Sequence, residues 1–274
     1  MKPIESLDYI HKKSVNGLRW YYNIASKVIE ESFRPSVTSI IGRAIPKGPA
    51  LETWMKNMGH FSDVVRDTSA VIGTMVHMCI EDLLRGIKID EQYMRDIIGR
   101  YPRRIWVMKM DEEELMYKLR RYMESYMSFY DKYQPTIIGN ELKLWDWDIG
   151  WGGQTDQLYM IKNKAGHNKP VLIDNKTGSQ QTEKHLLQQT AYKILLEKMY
   201  GIEDLEIGIL YVRESYRKDP THTLKIGKPD VDYWNDVYAM FCRMMGDDDM
   251  PKPKVKPQPR KEFFLNLNNE ETTK

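Results

Sequence analysis

Apolar positions recur with helical spacing through the first half of the chain and with strand spacing through much of the second. Residues 61–85 carry Val65, Val71, Ile72, Met75, Val76, Cys79, Ile80, Leu83 and Leu84 at the three-and-four interval of a helix with one buried face. A shorter helix is predicted over 48–59, around Leu51 and Trp54, and a Met- and Tyr-rich one over 111–133. Ahead of them, 17–24 (GLRWYYNI) reads as a short strand. Pro35-Ser36-Val37-Thr38 then opens a new segment, with Ser36 or Thr38 as its helix cap. From about 138 the pattern changes. Residues 139–149 and 154–161 predict two strands joined by a turn at Gly150-Trp151-Gly152-Gly153. After a turn at 163–168, Val171-Leu172-Ile173 starts a third strand, whose unbroken apolar run fits burial on both faces. A helix follows over 183–199 with Gly201 just past its end, then strands at 205–213 and 222–226, and a helix over roughly 229–245.

This order predicts an α/β (mixed α+β) fold: a mixed central sheet flanked by helices, with a helical N-terminal part packed on it. One domain is expected over 1–249, with 1–135 mainly helical and 136–249 carrying the sheet. Residues 250–274 form a Lys/Pro-rich tail whose prolines exclude helix and central strand; it is either a solvated, flexible tail or a segment that touches phosphates.

Composition narrows this modestly. A chain of 274 residues suffices for one large domain or two small ones, and 41% hydrophobic with 29% charged residues excludes wholesale disorder. The net charge of +2 argues neither for nor against a nucleic-acid partner, because carboxylates that hold cations would offset basic residues elsewhere. Two cysteines, Cys79 and Cys242, are too few for a four-cysteine iron–sulphur cluster or zinc site within this chain. Cys79, in an apolar helical run, is expected to be a small core residue. No apolar run approaches a membrane span, and the first residues, MKPIESLDYI, lack the apolar core of a signal peptide. A cytoplasmic protein without a membrane partner is the expectation.

Four groups of residues carry candidate chemistry. His77 and Glu81 are four apart, on one face of the long helix, where they interrupt an apolar run. Asp156 follows the Gly-rich turn, at the start of a strand. Asp174 and Lys176 flank Asn175 at the end of the apolar run and point to the same side of their strand. His185, Gln188 and Tyr192 fall within about 60° of one another on a helical wheel. Leu187, Thr190, Ala191 and Ile194 lie roughly opposite, so this helix is read as having an apolar face and a separate polar-aromatic one. Singly, each group has an ordinary explanation: a satisfied histidine, a turn aspartate, a strand-end salt bridge, a solvated face. Jointly they suit phosphodiester hydrolysis. Two carboxylates and a further ligand fit Mg²⁺ or Mn²⁺, which activates water, while a neighbouring lysine stabilises growing negative charge.

The pattern Gly73-Thr74-x-x-His77-x-x-x-Glu81, then Gly153-x-x-Asp156, then Asp174-x-Lys176, then Gln188-x-x-x-Tyr192 resembles the RecB-like branch of the PD-(D/E)XK nuclease superfamily. Pro35-Ser36-Val37-Thr38 with Leu51 and Trp54 is similar to the N-terminal part of the mitochondrial genome maintenance exonuclease and related phage exonucleases, so the likeness spans about 17–213. The resemblance implies a restriction-endonuclease-like catalytic core in the sheet-bearing part. It implies metal ligation by His77, Asp156, Asp174 and the main-chain carbonyl of Asn175, with Lys176 as the catalytic lysine. Gln188, Tyr192, His185, Ser36 and Thr38 would support the site or contact DNA, and Glu81 would steady His77. Glu141 stands where the family often has an acid on the first sheet strand. Asn175 departs from an often aromatic position, but only its carbonyl is required. The implied activity is a metal-dependent exonuclease preferring single-stranded DNA or DNA with free ends, without an iron–sulphur cluster, working with replication, recombination or repair proteins. The alternatives are an endonuclease, a nuclease subunit of a larger complex, and a non-cleaving DNA-binding protein. No P-loop pattern occurs, so any motor is separate. Trp20, Tyr21, Tyr22 and Trp54 either stack on unpaired bases or belong to the core.

Overall fold

The computed structural model describes residues 3–46, 48–101, 110–162, 166–178, 182–215 and 219–245. The Lys/Pro-rich tail at 250–274 lies outside these.

An Asn-Gly pair shapes the start of the chain. Asn16 and Gly17 both sit at positive φ (51° and 77°), the two-residue turn that lets right-twisted strands pair, and they join β1 (Ile10–Val15) to β2 (Leu18–Asn23). The strand expected at 17–24 is thus the second arm of a hairpin. Its first arm escapes the hydrophobic pattern because His11, Lys12, Lys13 and Ser14 leave little apolar periodicity to read. β3 (Arg34–Pro35) completes a three-stranded antiparallel sheet. Of the two candidate caps, Ser36 is the cap of α1 (Val37–Ala44): its hydroxyl accepts from the Ser39 N–H at 3.0 Å, while Thr38 lies inside the first turn.

The helices α2 (Pro49–Met58), α3 (Phe61–Leu84) and α5 (Glu112–Tyr133) match their expected spans. α4 (Glu91–Gly99), capped by Asp90, is an addition, too short to stand out by periodicity. Then come β4 (Thr136–Asn140), β5 (Lys143–Trp145), β6 (Gly152–Gln154), β7 (Gln157–Lys162), β8 (Asn168–Lys176), α6 (Thr182–Tyr200), β9 (Glu206–Tyr211), β10 (Thr223–Gly227) and α7 (Val231–Met245).

A five-stranded sheet runs β10-β9-β8-β7-β4. β8 and β9 are parallel, joined by the α6 crossover, and the other pairs are antiparallel. The expected mixed sheet flanked by helices is therefore present. β8 alternates between two cores. Val171 and Ile173 face α3, α4 and α5, and Leu172 faces α1, α6 and α7. This two-sided burial accounts for the unbroken apolar run.

Three expectations need correction. The strand over 139–149 breaks at Glu141 (φ 52°), and that over 154–161 breaks between β6 and β7; β5 and β6 pair as a separate ribbon. Both interruptions fall where Glu141 and Asp156 leave the sheet for the site described below. Second, Gly152 and Gly153 are not turn residues but lie in β6. Their bareness serves close packing: a Cβ on Gly152 would lie 2.9 Å from the Tyr21 Cβ, and one on Gly153 would collide with the Tyr192 ring. Third, the polar-aromatic face of α6 is not a solvated one: Gln188 and Tyr192 turn into the cleft described below. Tyr192 is buried along with Leu187, Thr190 and Ala191, because the sheet and helices α1 and α7 enclose the helix. Trp20, Tyr21 and Tyr22 are likewise core, which removes them as base-stacking residues, and Cys79 is fully buried as expected.

Candidate metal centre and active site

The site lies at the C-terminal end of β8, between α3 on one face of the sheet and α6 on the other. Antiparallel pairing sets Gln157 of β7 opposite Ile173 of β8, so one residue further Asp156 comes level with Asp174, within reach of the Asn175 N–H. The Asn175 N–H donates to Asp156 Oδ2 at 2.7 Å. His77 arrives from α3. Its Nε2 lies 3.0 Å from the Asn175 carbonyl, and its Nδ1 lies 3.4 Å from Asp156 Oδ2. A carbonyl only accepts, so Nε2 carries the proton in this arrangement. Alternation along β8 sends Asp174 and Lys176 to the α6 side. There Lys176 Nζ pairs with Asp174 Oδ2 at 2.7 Å, and Gln188 Nε2 donates to Asp174 Oδ1 at 3.4 Å.

One ligand atom each from His77, Glu141 and Asp156 lies within 4.8 Å of the others. Glu141 therefore joins this triad, while Asp174 stands beside it, engaged with Lys176. The positive φ at Glu141 and its N–H bond to the Asp156 carbonyl turn it off the sheet edge toward Asp156. Gln154 Nε2 holds Glu141 Oε2 at 2.7 Å, and Lys12 Nζ holds Gln154 Oε1 at 2.9 Å. Glu81 pairs with Arg85 on its own helix rather than with His77. His185 Nδ1 lies 3.3 Å from the Tyr211 hydroxyl, and Tyr192 packs against Gly153. Ser36, Thr38, Gln188 and Tyr192 line the same 570 Å³ cleft as His77, Glu81, Glu141, Asp156, Asp174 and Lys176.

The electrostatics follow from burial. Glu141 is pushed up to about 8, first by desolvation and then by the charges of Asp156 and Glu81. Asp156 is also held above the usual carboxylate range by its burial, with Asp174 adding to the effect and His77 opposing it. Burial would depress the Lys176 ammonium, but Asp174 and Asp156 more than offset it, so Lys176 stays protonated. His185 is pushed down to about 4 by burial and by the nearby Lys176 charge, and is neutral at physiological pH. The donor set suits a hard divalent cation: oxygen-rich, with one imidazole, and with carboxyl groups whose burial raises their hold on protons. When such a cation binds, the Glu141 proton must leave. Apparent Mn²⁺ affinity should therefore rise about tenfold per pH unit up to about pH 8 and level off above it. Titration calorimetry in two buffers would read both affinity and proton release; an affinity independent of pH below 8 would remove Glu141 from the ligand set. The sign for stability is the opposite. The folded pKa lies above the ordinary value, so the metal-free protein loses stability as pH rises from about 4.5 to about 8, and a bound cation restores it.

Behind the centre runs a chain of carboxamides that nothing in the sequence announces. Asn140 Nδ2 donates to the Glu81 carbonyl at 3.2 Å, Gln157 Nε2 donates to Asn140 Oδ1 at 3.3 Å, and Asn175 Nδ2 donates to Gln157 Oε1. The Glu81 carbonyl can only accept, which fixes the direction of every amide that follows. The chain ties α3 to the Asn175 peptide, whose carbonyl faces His77 and whose N–H holds Asp156. Gln157→Leu leaves the buried Asn175 Nδ2 without its partner. It should cost about 1–3 kcal/mol in thermal unfolding and weaken Mn²⁺ binding about tenfold. Destabilisation without any change in metal affinity would show that the chain supports packing alone.

The family model described as the PD-(D/E)XK nuclease superfamily matches residues 58–262, more than half of the chain. No curated protein matches it. No helix among the described residues is long and apolar enough to cross a membrane.

Proposed function

Since the chain belongs to the PD-(D/E)XK nuclease superfamily, we propose that it is a divalent-metal-dependent DNA exonuclease of the RecB-like branch, preferring single-stranded DNA and acting in replication, recombination or repair. The observation that carries the metal-dependent chemistry is the gathering of His77, Glu141 and Asp156 within 4.8 Å, beside the Lys176–Asp174 pair. His77, Asp156 and Glu141 would hold the cation, Mg²⁺ or Mn²⁺, with the Asn175 carbonyl and Asp174 as neighbouring oxygen donors. When bound, such a cation would neutralise phosphate charge and make water a better nucleophile near neutral pH. Lys176, kept as an ammonium, donates to the phosphate oxygen that gains negative charge. Asp174, itself held by Gln188, aims that ammonium. His185, neutral and set against Tyr211, lets Asp174 and Lys176 pair without a competing charge.

The finer reading draws support from Ser36 and Thr38, which line the cleft, and from the likeness of their segment to exonucleases. The domain reading accords with it: one nuclease domain over 1–249, its N-terminal part forming one wall of the site. The test compares end-labelled linear single-stranded DNA with a closed single-stranded circle, in Mg²⁺, Mn²⁺ and EDTA. Degradation of the linear strand alone, abolished by EDTA, supports the exonuclease; equal cutting of the circle makes the protein an endonuclease. DNA binding without cleavage under any metal would leave a binding protein with a nuclease fold.

A further inference from the structure

A second cleft, of 670 Å³, adjoins the active site and shares Arg19 and Thr38 with it. Its other polar lining comes from Ser14 and Asn16 on the β1–β2 hairpin and from Ser39 and Arg43 on α1. Among the described residues, no carboxylate lines it. That contrasts with the site next door, which contains Glu81, Glu141, Asp156 and Asp174. Two of the three elements that line it are one-sided: from Ile10 to Asn23 the hairpin carries His11, Lys12, Lys13 and Arg19 and no acid, and α1 carries Arg43 and no acid, while α7 contributes only the apolar Met245. In a chain of net charge +2 this is a local concentration of positive charge. Arg19 stands at the junction of the two clefts, close enough to Lys12 for their charges to oppose each other. Arg43 is exposed one helical turn beyond Ser39. The hairpin and α1 are locked together: the Arg19 N–H donates to Ser39 Oγ at 2.7 Å, and the Ser36 N–H donates to the Arg19 carbonyl at 2.8 Å. The guanidiniums and hydroxyls are thus presented by fixed elements.

We propose that this second cleft holds the sugar-phosphate backbone of a single nucleic-acid strand next to the phosphate being cleaved, with Arg19 and Arg43 as its phosphate-binding residues. The inference rests on the nuclease reading above. Guanidiniums pair bidentately with phosphate, hydroxyls add further donors, and such contacts set register without reading sequence. The cleft's polar lining, with no aromatic platform among the described residues, fits recognition of the backbone rather than of bases.

The experiment measures fluorescence anisotropy of labelled oligothymidylates of increasing length, with Mn²⁺, in a Lys176→Ala background. Steady-state cleavage is measured in parallel in the Lys176 enzyme. Arg43→Glu, alone and with Arg19→Ala, should weaken binding of long strands about tenfold or more. The slope of log affinity against log salt should fall by about 0.7 for each phosphate that is no longer neutralised. For Arg43→Glu alone, KM for long strands should rise while the turnover at saturation and the Mn²⁺ affinity hold, and Arg43→Lys should recover much of the loss. An abasic strand should bind as well as thymidylate. Unchanged long-strand affinity and salt slope in the double variant would overturn the proposal, as would failure of the abasic strand to bind. Should the unsubstituted protein cleave nothing under any metal, the nuclease reading fails, yet the anisotropy comparison still decides whether this cleft binds a strand.

Discussion

Replacing Lys176 by alanine is expected to lower the rate of DNA cleavage by about 10²–10³-fold, the usual consequence of deleting one preorganised donor aimed at developing negative charge. The same change should destabilise the metal-free protein. Lys176 Nζ is 2.7 Å from Asp174 Oδ2, and the Asp174 side chain is only 4% exposed, so its carboxylate would lose its cation while staying out of water. Bound metal would then be its remaining source of compensation. Mn²⁺ should accordingly raise the unfolding temperature of Lys176→Ala by more than it raises that of the unsubstituted protein. Thermal scans with and without Mn²⁺, set beside cleavage rates on linear single-stranded DNA, separate the two roles. Cleavage within a few-fold of the original rate would remove Lys176 from the chemistry, and equal thermal shifts would show that Asp174 does not depend on it.

Asp156→Asn is expected to have the second large effect, with stability and function moving in opposite directions. Asp156 stands within ligand distance of His77 and Glu141, so losing its charge should weaken Mn²⁺ binding by more than about 100-fold, beyond the usual cost of changing an outer-shell partner. Cleavage should disappear with it. The asparagine oxygen can still accept from the Asn175 N–H, now 2.7 Å from Asp156 Oδ2, so the backbone arrangement survives. Meanwhile one member of a largely buried, mutually repelling acidic group is gone. Burial and Asp174 already hold Asp156 above its ordinary range, and Asp156 in turn raises Glu141. Near pH 8, where Glu141 begins to ionise, the metal-free variant should unfold at the same or a higher temperature than the parent. Calorimetric Mn²⁺ titration and a thermal scan at that pH check both halves. Retained metal affinity would place the cation elsewhere in the cleft. A large drop in unfolding temperature would mean that the carboxylate itself stabilises this corner of the fold.

Glu141 shows how function is reached at the expense of regular structure. The sheet edge breaks at this residue, which adopts a left-handed backbone rarely used by side chains of its kind, and its half-buried carboxyl lies beside another.

The sequence by itself determined the helices with long apolar stripes, the doubly buried β8, and the neighbours Asp174 and Lys176 at its end. In each case the signal is local: a helix repeats every three to four residues, a strand every two, and the chemistry sits within a few residues of the repeat. His77 and Asp156 were legible only as members of a motif series, since neither spacing alone distinguishes a ligand from an ordinary histidine or turn aspartate. The tertiary structure alone decided the rest. It broke two expected strands to free Glu141 and Asp156, put Gly152 and Gly153 under tyrosine rings rather than in a turn, and buried Tyr192. It joined Asn140, Gln157 and Asn175 into one hydrogen-bonded line. It also set the acid-free hairpin beside α1 to form a basic cleft next to an acidic one. None of these follows from periodicity. Each depends on which residues, far apart in the chain, meet across a sheet register or a helix packing, and that is set by the collective burial of two cores rather than by any segment of the sequence.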